Sequence, residues 1–199
     1  RLLQCATNPA TMLHDDDEVD ISAFHSKDPS LTELVNTYNE TSPKIKRAAE
    51  EAVKISKKKN NVIVWTVFIK NVDAICKAIK ELDPNANPIG ISGEIDIESN
   101  SEKDFIGREE RLNDFRSQKG AILVATMGSI AESVSLHKSC RYAIYLERNF
   151  NAGQYMQSLS RIYRIGSDKT KPVKYIFLRT VFEDKITDTI DGTIDSKLK

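Results

Sequence analysis

From Val62 onward, short apolar runs are separated by amphipathic stretches, and this alternation limits the chain to one class of fold. The run VIVWTVF, Val62–Phe68, is β-branched and apolar nearly throughout, as in a strand covered on both faces. Shorter runs of the same kind occupy Pro88–Ser92, Ala121–Thr126, Arg141–Leu146 and Val173–Leu178. Helical spacing marks Asn71–Leu82, Ile106–Gln118, Ala152–Ile162 and Phe182–Ile194, with a polar insertion at Glu94–Lys103. Strands separated by helices require right-handed crossovers, so the expectation is a doubly wound α/β fold: a mostly parallel sheet with helices on both faces. Open sheets of this kind bind ligands beyond the carboxyl ends of their strands. Those ends carry Thr66–Phe68, Ser92-Gly93, Thr126–Ser133 and Glu147–Asn151.

Ahead of the alternating region, Thr41-Ser42-Pro43 places a hydroxyl N-cap before a proline at the first helical position. The helix-forming KIKRAAEEAVKISKK follows, which predicts a helix to about Lys58. Lys57-Lys58-Lys59 at its end complements the helix dipole; a phosphate contact is the second reading. Residues 41–199 therefore form the lobe, and residues 1–40 an acidic lead-in packing on it or leading into it. RLLQCATNPATML has helical spacing that stops at Asn8-Pro9. HDDDEVD, His14–Asp20, is expected to be an exposed loop because its charges repel one another. Its Asp17-Glu18 pair is not the magnesium box of an ATPase, since no apolar strand precedes it. Phe24–Glu40 is expected to hold a short helix.

The 199 residues have zero net charge, but residues 1–40 carry two basic and eight acidic side chains, a net of −6 that leaves the remainder at +6. A basic body permits nucleic-acid binding. With 40% hydrophobic and 29% charged residues the chain reads as soluble, and no apolar run approaches the roughly 20 residues of a membrane span. No signal peptide opens the sequence, so an intracellular protein is expected. Cys5, Cys76 and Cys140 are odd in number and widely spaced, and they read as reduced, mostly buried thiols.

The stretch QSLSRIYRIGSDK, Gln157–Lys169, carries the chemistry. On a helix Gln157, Arg161 and Arg164 fall at i, i+4 and i+7, within one arc, while Met156, Leu159 and Tyr163 share another face that can pack. Such a surface is either an ordinary basic helix face or a polyphosphate contact, since guanidinium offers a fixed fork of donors and keeps its charge. None of the eight glycines precedes a lysine, so no GxxxxGK[ST] phosphate loop is present. The arginines would then act on a nucleotide held chiefly by another domain.

VIVWTVF, ISG, FRSQKGAILVAT and ERNFNAGQYMQSLSRIYRIG, in that order, resemble the second RecA-like motor lobe of superfamily-two helicases, and within them the Swi/Snf-related DNA-dependent ATPases. The similarity runs from about Ser42 to the C-terminus, with Asn8-Pro9 like the segment entering that lobe. The resemblance implies that Arg161 and Arg164 are catalytic fingers for ATP, and that Mg²⁺ and most of the nucleotide are held by an N-terminal lobe. It places Gln157, Gly128 and Glu132 near ATP, and Thr66, Ser92, Gly93, Thr126 and Asn151 on the nucleic-acid backbone. The implied partner is DNA, double-stranded and read without sequence preference; an RNA helicase lobe and a non-catalytic binding module are the alternatives. Departures are Gly128 as the single glycine of a usually glycine-rich run, Tyr163 in place of histidine, and Ser167 in place of glutamine. Glu132 reads equally as a solvated glutamate at a helix start.

Overall fold

The computed structural model describes residues 2–8, 41–93, 102–130, 134–168, 170–181 and 189–198. Five strands form one sheet: β1 (Val62–Thr66), β2 (Ile89–Ile91), β3 (Ile122–Thr126), β4 (Tyr142–Tyr145) and β5 (Lys174–Phe177). Their order is β2-β3-β1-β4-β5 and every pairing is parallel. Around them lie α1 (Leu2–Thr7), α2 (Pro43–Lys57), α3 (Ile69–Leu82), α4 (Glu102–Ser117), α5 (Ala152–Ile162) and α6 (Ile190–Lys197). The doubly wound parallel architecture read from the sequence is the one observed.

Alternation along the strands splits the core in two. Val62, Val64, Ile122, Val124 and Ile144 face α2 and α3, where Ile45, Ala48, Ala52, Ile75 and Ile79 close over them. Ile63, Trp65, Leu123, Ala125 and Tyr145 face the other way, against Leu112 and Phe115 of α4 and Ile162 of α5. Burying each large aliphatic side chain stabilises by about 1.5–3 kcal/mol, so the central strands hold the lobe together.

Local chemistry sets the boundaries. Ser42 Oγ accepts from Lys44 N (3.3 Å), capping α2 as expected, and donates to the Thr7 carbonyl (2.5 Å), tying α1 to the lobe. Gly120 has φ +77°, and a Cβ there would stand 2.7 Å from the Ser56 carbonyl oxygen, so glycine is required where β3 meets the end of α2. Asn61 locks the amino edge: Nδ2 donates to the carbonyls of Phe115 (3.0 Å) and Gln118 (2.9 Å), and Oδ1 accepts from Ala121 N (3.0 Å).

Several boundaries differ from expectation. β1 stops at Thr66 rather than Phe68 because the Val67 amide donates to Glu147 Oε1 (2.7 Å) instead of extending the ladder. α4 begins at Glu102, inside the stretch expected to be an insertion. The last helix starts at Ile190, capped by Thr189 Oγ1 accepting from Gly192 N (3.2 Å), and runs past Ile194 to Lys197. The expected acidic loop at 14–20 and helix at 24–40 lie outside the described residues, as do 182–188.

Candidate nucleotide and nucleic-acid site

At the carboxyl edge Thr66 stands opposite Thr126 across the β1–β3 pair, with β4 on the other side of β1. Thr66 is 0% exposed and Thr126 is buried, so neither side chain reaches the surface. The Thr66 hydroxyl, expected to face a phosphate backbone, donates to Glu147 Oε1 at 2.5 Å. Ser92 and Gly93, just past β2, are partly exposed, and Gly128 is exposed. A Cβ on Gly128 would lie 3.8 Å from Gln154 Nε2, which brings the loop after β3 against the start of α5. Asn151 is exposed and caps α5, its Oδ1 accepting from Gln154 N (3.1 Å). Asn149 completes the turn, Oδ1 accepting from Asn151 N (3.0 Å) and Nδ2 donating to Gln154 Oε1 (3.1 Å).

Glu147 is the residue that the sequence reading passed over. It is 1% exposed. Its Oε1 accepts from Thr66, from the Val67 amide and from Asn71 Nδ2 (3.4 Å), and Asn71 Oδ1 in turn accepts from Asn8 Nδ2 (3.0 Å). Oε2 is buried with no hydrogen-bond partner among the described residues. Burial pushes the carboxyl above its ordinary value, against the opposing pull of Thr66, Val67, the Lys44 charge and Asn71. The group thus joins the loops after β1 and β4 to α1 and α3. Nothing in the local sequence marks it, because its partners are 76 or more positions away.

The arginines lie elsewhere. α5 joins two parallel strands, so it runs back from the carboxyl edge to the amino edge, about 15 Å over the ten residues from Asn151 to Arg161. Leu136 N donates to the Arg161 carbonyl (2.9 Å), and Leu136 leads directly to Cys140, whose thiol bonds the Asn61 carbonyl at the start of β1. Arg161 Nη1 donates to the Val134 carbonyl (3.2 Å), so Arg161 and the segment descending from β3 hold one another. Partial burial, then the nearby charge of Arg164, draws the Arg161 guanidinium below its ordinary value. Arg164 follows three residues later.

They do not share a helix face. α5 ends at Ile162, with Tyr163 extended at its C-cap, because the chain then turns through Gly166 at φ +92°. Arg164 N donates to Ser167 Oγ (3.0 Å) and Ser167 N to the Arg164 carbonyl (2.9 Å), so a tight turn presents Arg164. Of the expected packing face only Leu159 packs on the core: Met156 and Tyr163 are 61% and 62% exposed, while Ser158 and Ile162 are buried. Gln157 is exposed, and Glu132 lies outside the described residues.

Family comparison meets this geometry directly. The model of the helicase conserved C-terminal domain matches residues 43–166, from the first turn of α2 to the turn that carries Arg164. The chain belongs to the helicase C-terminal domain family. The chain is 29% identical over 113 residues to the Zorya protein ZorD of Escherichia coli O139:H28, covering 56% of this chain but only 10% of that protein. Its fold is similar to the C-terminal part of the Fun30 ATPase domain (TM-score 0.62, 19% identity, 98% of this chain and 64% of that one). It is also similar to the Sulfolobus solfataricus SWI2/SNF2 ATPase core in complex with double-stranded DNA (TM-score 0.54, 18% identity, 98% and 38%). The likeness to these structures shows a fold shared with SWI2/SNF2 ATPase lobes.

In this helicase domain the departures acquire roles. Ser167, where glutamine is usual, closes the turn that carries Arg164. Gly128 lies beside Gln154, where a Cβ would make an ordinary contact. The arginine pair fits an anionic phosphate, but no glycine-rich cradle for the rest of a nucleotide accompanies it. Among the described residues no group of three His, Cys, Asp or Glu could hold a metal ion. No helix among them is long and apolar enough to cross a membrane.

Beside the site, α6 is fastened by two acidic residues. Lys44 Nζ pairs with Asp191 Oδ2 at 2.8 Å, both nearly buried, and the same oxygen accepts from Thr180 N (2.8 Å). Asp195 pairs with Arg148 and, at 2.8 Å, with Arg179. The Arg148 guanidinium also lies 4.8 Å from the centre of the Phe177 ring and 5.5 Å from that of Tyr155.

Proposed function

We propose that this chain is the second motor lobe of an ATP-driven translocase on double-stranded DNA. Arg161 and Arg164 would stabilise charge developing on the γ-phosphate of ATP held, with Mg²⁺, by an N-terminal lobe. The observation that carries this reading is the pair of guanidiniums at the far end of α5, one bonded to the segment that descends from β3. Gln157, one turn before Arg161 on the same face, is suited to the nucleotide side. At the opposite end Ser92, Gly93 and Asn151 are accessible to a phosphate backbone, a sequence-independent and salt-sensitive contact. Gly128 lies beside the start of α5, at the carboxyl edge. Thr66 and Thr126 support this edge from within. The double-stranded DNA in the archaeal complex favours DNA, and a DNA substrate accords with an intracellular location.

The chain spans 10% of ZorD and 38% of the archaeal core, so the assay belongs to the two-lobed protein. Arg161→Ala and Arg164→Ala should each lower DNA-stimulated ATP hydrolysis by about 10³–10⁵ in kcat with the fold retained. Near-normal turnover in both variants would refute the finger assignment. Comparing double-stranded DNA, single-stranded DNA and RNA as activators separates the translocase from an RNA helicase. A protein that binds nucleic acid but hydrolyses nothing with either arginine present would be a binding module.

A further inference from the structure

The amino edge of the sheet carries a second charged feature that the motor reading leaves unused. A cleft of about 390 Å³ opens there, lined by Lys59, Arg116, Lys119, Lys138, Arg141 and Lys171 together with small polar side chains. No acidic residue lines it among the described residues. In a body of net charge +6, six cations around one concavity are a local concentration of that charge.

The six are not equivalent. Arg116 is engaged by Glu109 (2.8 Å), and Lys171 lies 3.7 Å from Asp168. Arg141 donates to the carbonyls of Asp168 (3.2 Å) and Lys171 (2.7 Å), fixing the loop before β5. Lys59, Lys119 and Lys138 are exposed, and none takes part in the ion pairs found among the described residues. They come from three separate turns, after α2, before β3 and before β4. Lys59 also has φ +61°, the left-handed position after a helix where glycine relieves strain. A strained lysine at a charged cleft is the kind of local departure that accompanies binding.

A small anion is held by convergent, preorganised forks, and both arginines here are committed to the protein itself. Dispersed point charges on flexible stems instead suit a long anion with repeating charge. We propose that Lys59, Lys119 and Lys138 form a second nucleic-acid contact, taking the phosphodiester backbone of a DNA duplex at the amino edge. This contact lies across the sheet from Ser92, Gly93 and Asn151.

The test is lysine acylation of the full protein, read by mass spectrometry without ATP, in the presence of a short duplex or of pyrophosphate. The duplex should shield Lys59, Lys119 and Lys138. The variant Lys59→Gln/Lys119→Gln/Lys138→Gln should lower the slope of log affinity against log salt by about 2 to 3, at roughly 0.9 per phosphate contact. Full reactivity of the three lysines with duplex bound would overturn the proposal. So would shielding by pyrophosphate alone, or an unchanged salt slope in a folded triple variant. Footprinting of the unmodified protein decides the matter should that variant not fold. Neither readout involves hydrolysis, so failure of the arginine-finger assignment leaves both unaffected.

Discussion

Glu147 has the most unusual surroundings of any single residue here, and its titration has a definite sign. Burial raises its folded pKa above the ordinary value near 4.5, so the folded state holds the proton more tightly than the unfolded chain. Its contribution to stability is therefore fully present below about pH 4.5 and is lost as pH rises through the folded value. Glu147→Gln keeps an acceptor for Thr66 and Val67 but removes the titration. Its stability relative to the parent chain should improve as pH rises above about 4.5, read as urea midpoints; a difference that falls with pH would contradict the raised value. The sequence could not show this residue, because a glutamate between Leu146 and Arg148 looks solvated until Thr66, Asn71 and Asn8 are folded around it. Arg161 was legible as chemistry. Its hydrogen bond to the Val134 carbonyl was not, since that bond joins segments 27 positions apart.

At the scale of elements, β1 and β3 were readable because both their faces are covered, which demands a nearly continuous apolar run. α2 was readable from its cap and proline. The end of α5 was misjudged for Arg164: helical phase was carried two residues past Ile162, although Gly166 was the available stop signal. α6 depends on partners rather than on pattern. Asp191→Ala would leave Lys44 buried without a counter-charge and Thr180 N without an acceptor. Such a loss costs about 3–5 kcal/mol, whereas Lys44→Met combined with Asp191→Leu should recover part of it, as measured by chemical denaturation.

For the whole molecule, class and strand order follow from alternation and crossover handedness, but the binding of both chain ends to one region does not. The Ala6 carbonyl accepts from Thr180, the Thr7 carbonyl from Ser42, and Asn8 bonds Asn71, so α1 closes on the lobe beside α6. This closure predicts cooperative unfolding, and the thiols report it. Burial pushes Cys140 up to about 12 and Cys76 up to about 11. At neutral pH Cys140 should resist a thiol reagent until the whole lobe opens, with a labelling rate that follows the global unfolding constant. Labelling much faster than global opening would mean that the β1–β4 edge opens separately.

The direction of α5 fixes a phase relation between the two ends of the helicase domain. Asn151 and Arg161 sit on one rigid cylinder, so the angle between them is set by residue count and by nothing else in the site. Inserting a single alanine after Gln157 would turn Arg161 by about 100° and shift it by about 1.5 Å while leaving the Asn151 cap in place. DNA binding should then persist while DNA-stimulated ATP hydrolysis is lost. Inserting a whole turn of four residues, which nearly restores the angle, should recover more of the activity than inserting two. The helix is thus a mechanical key whose teeth are spaced in degrees as well as in ångströms.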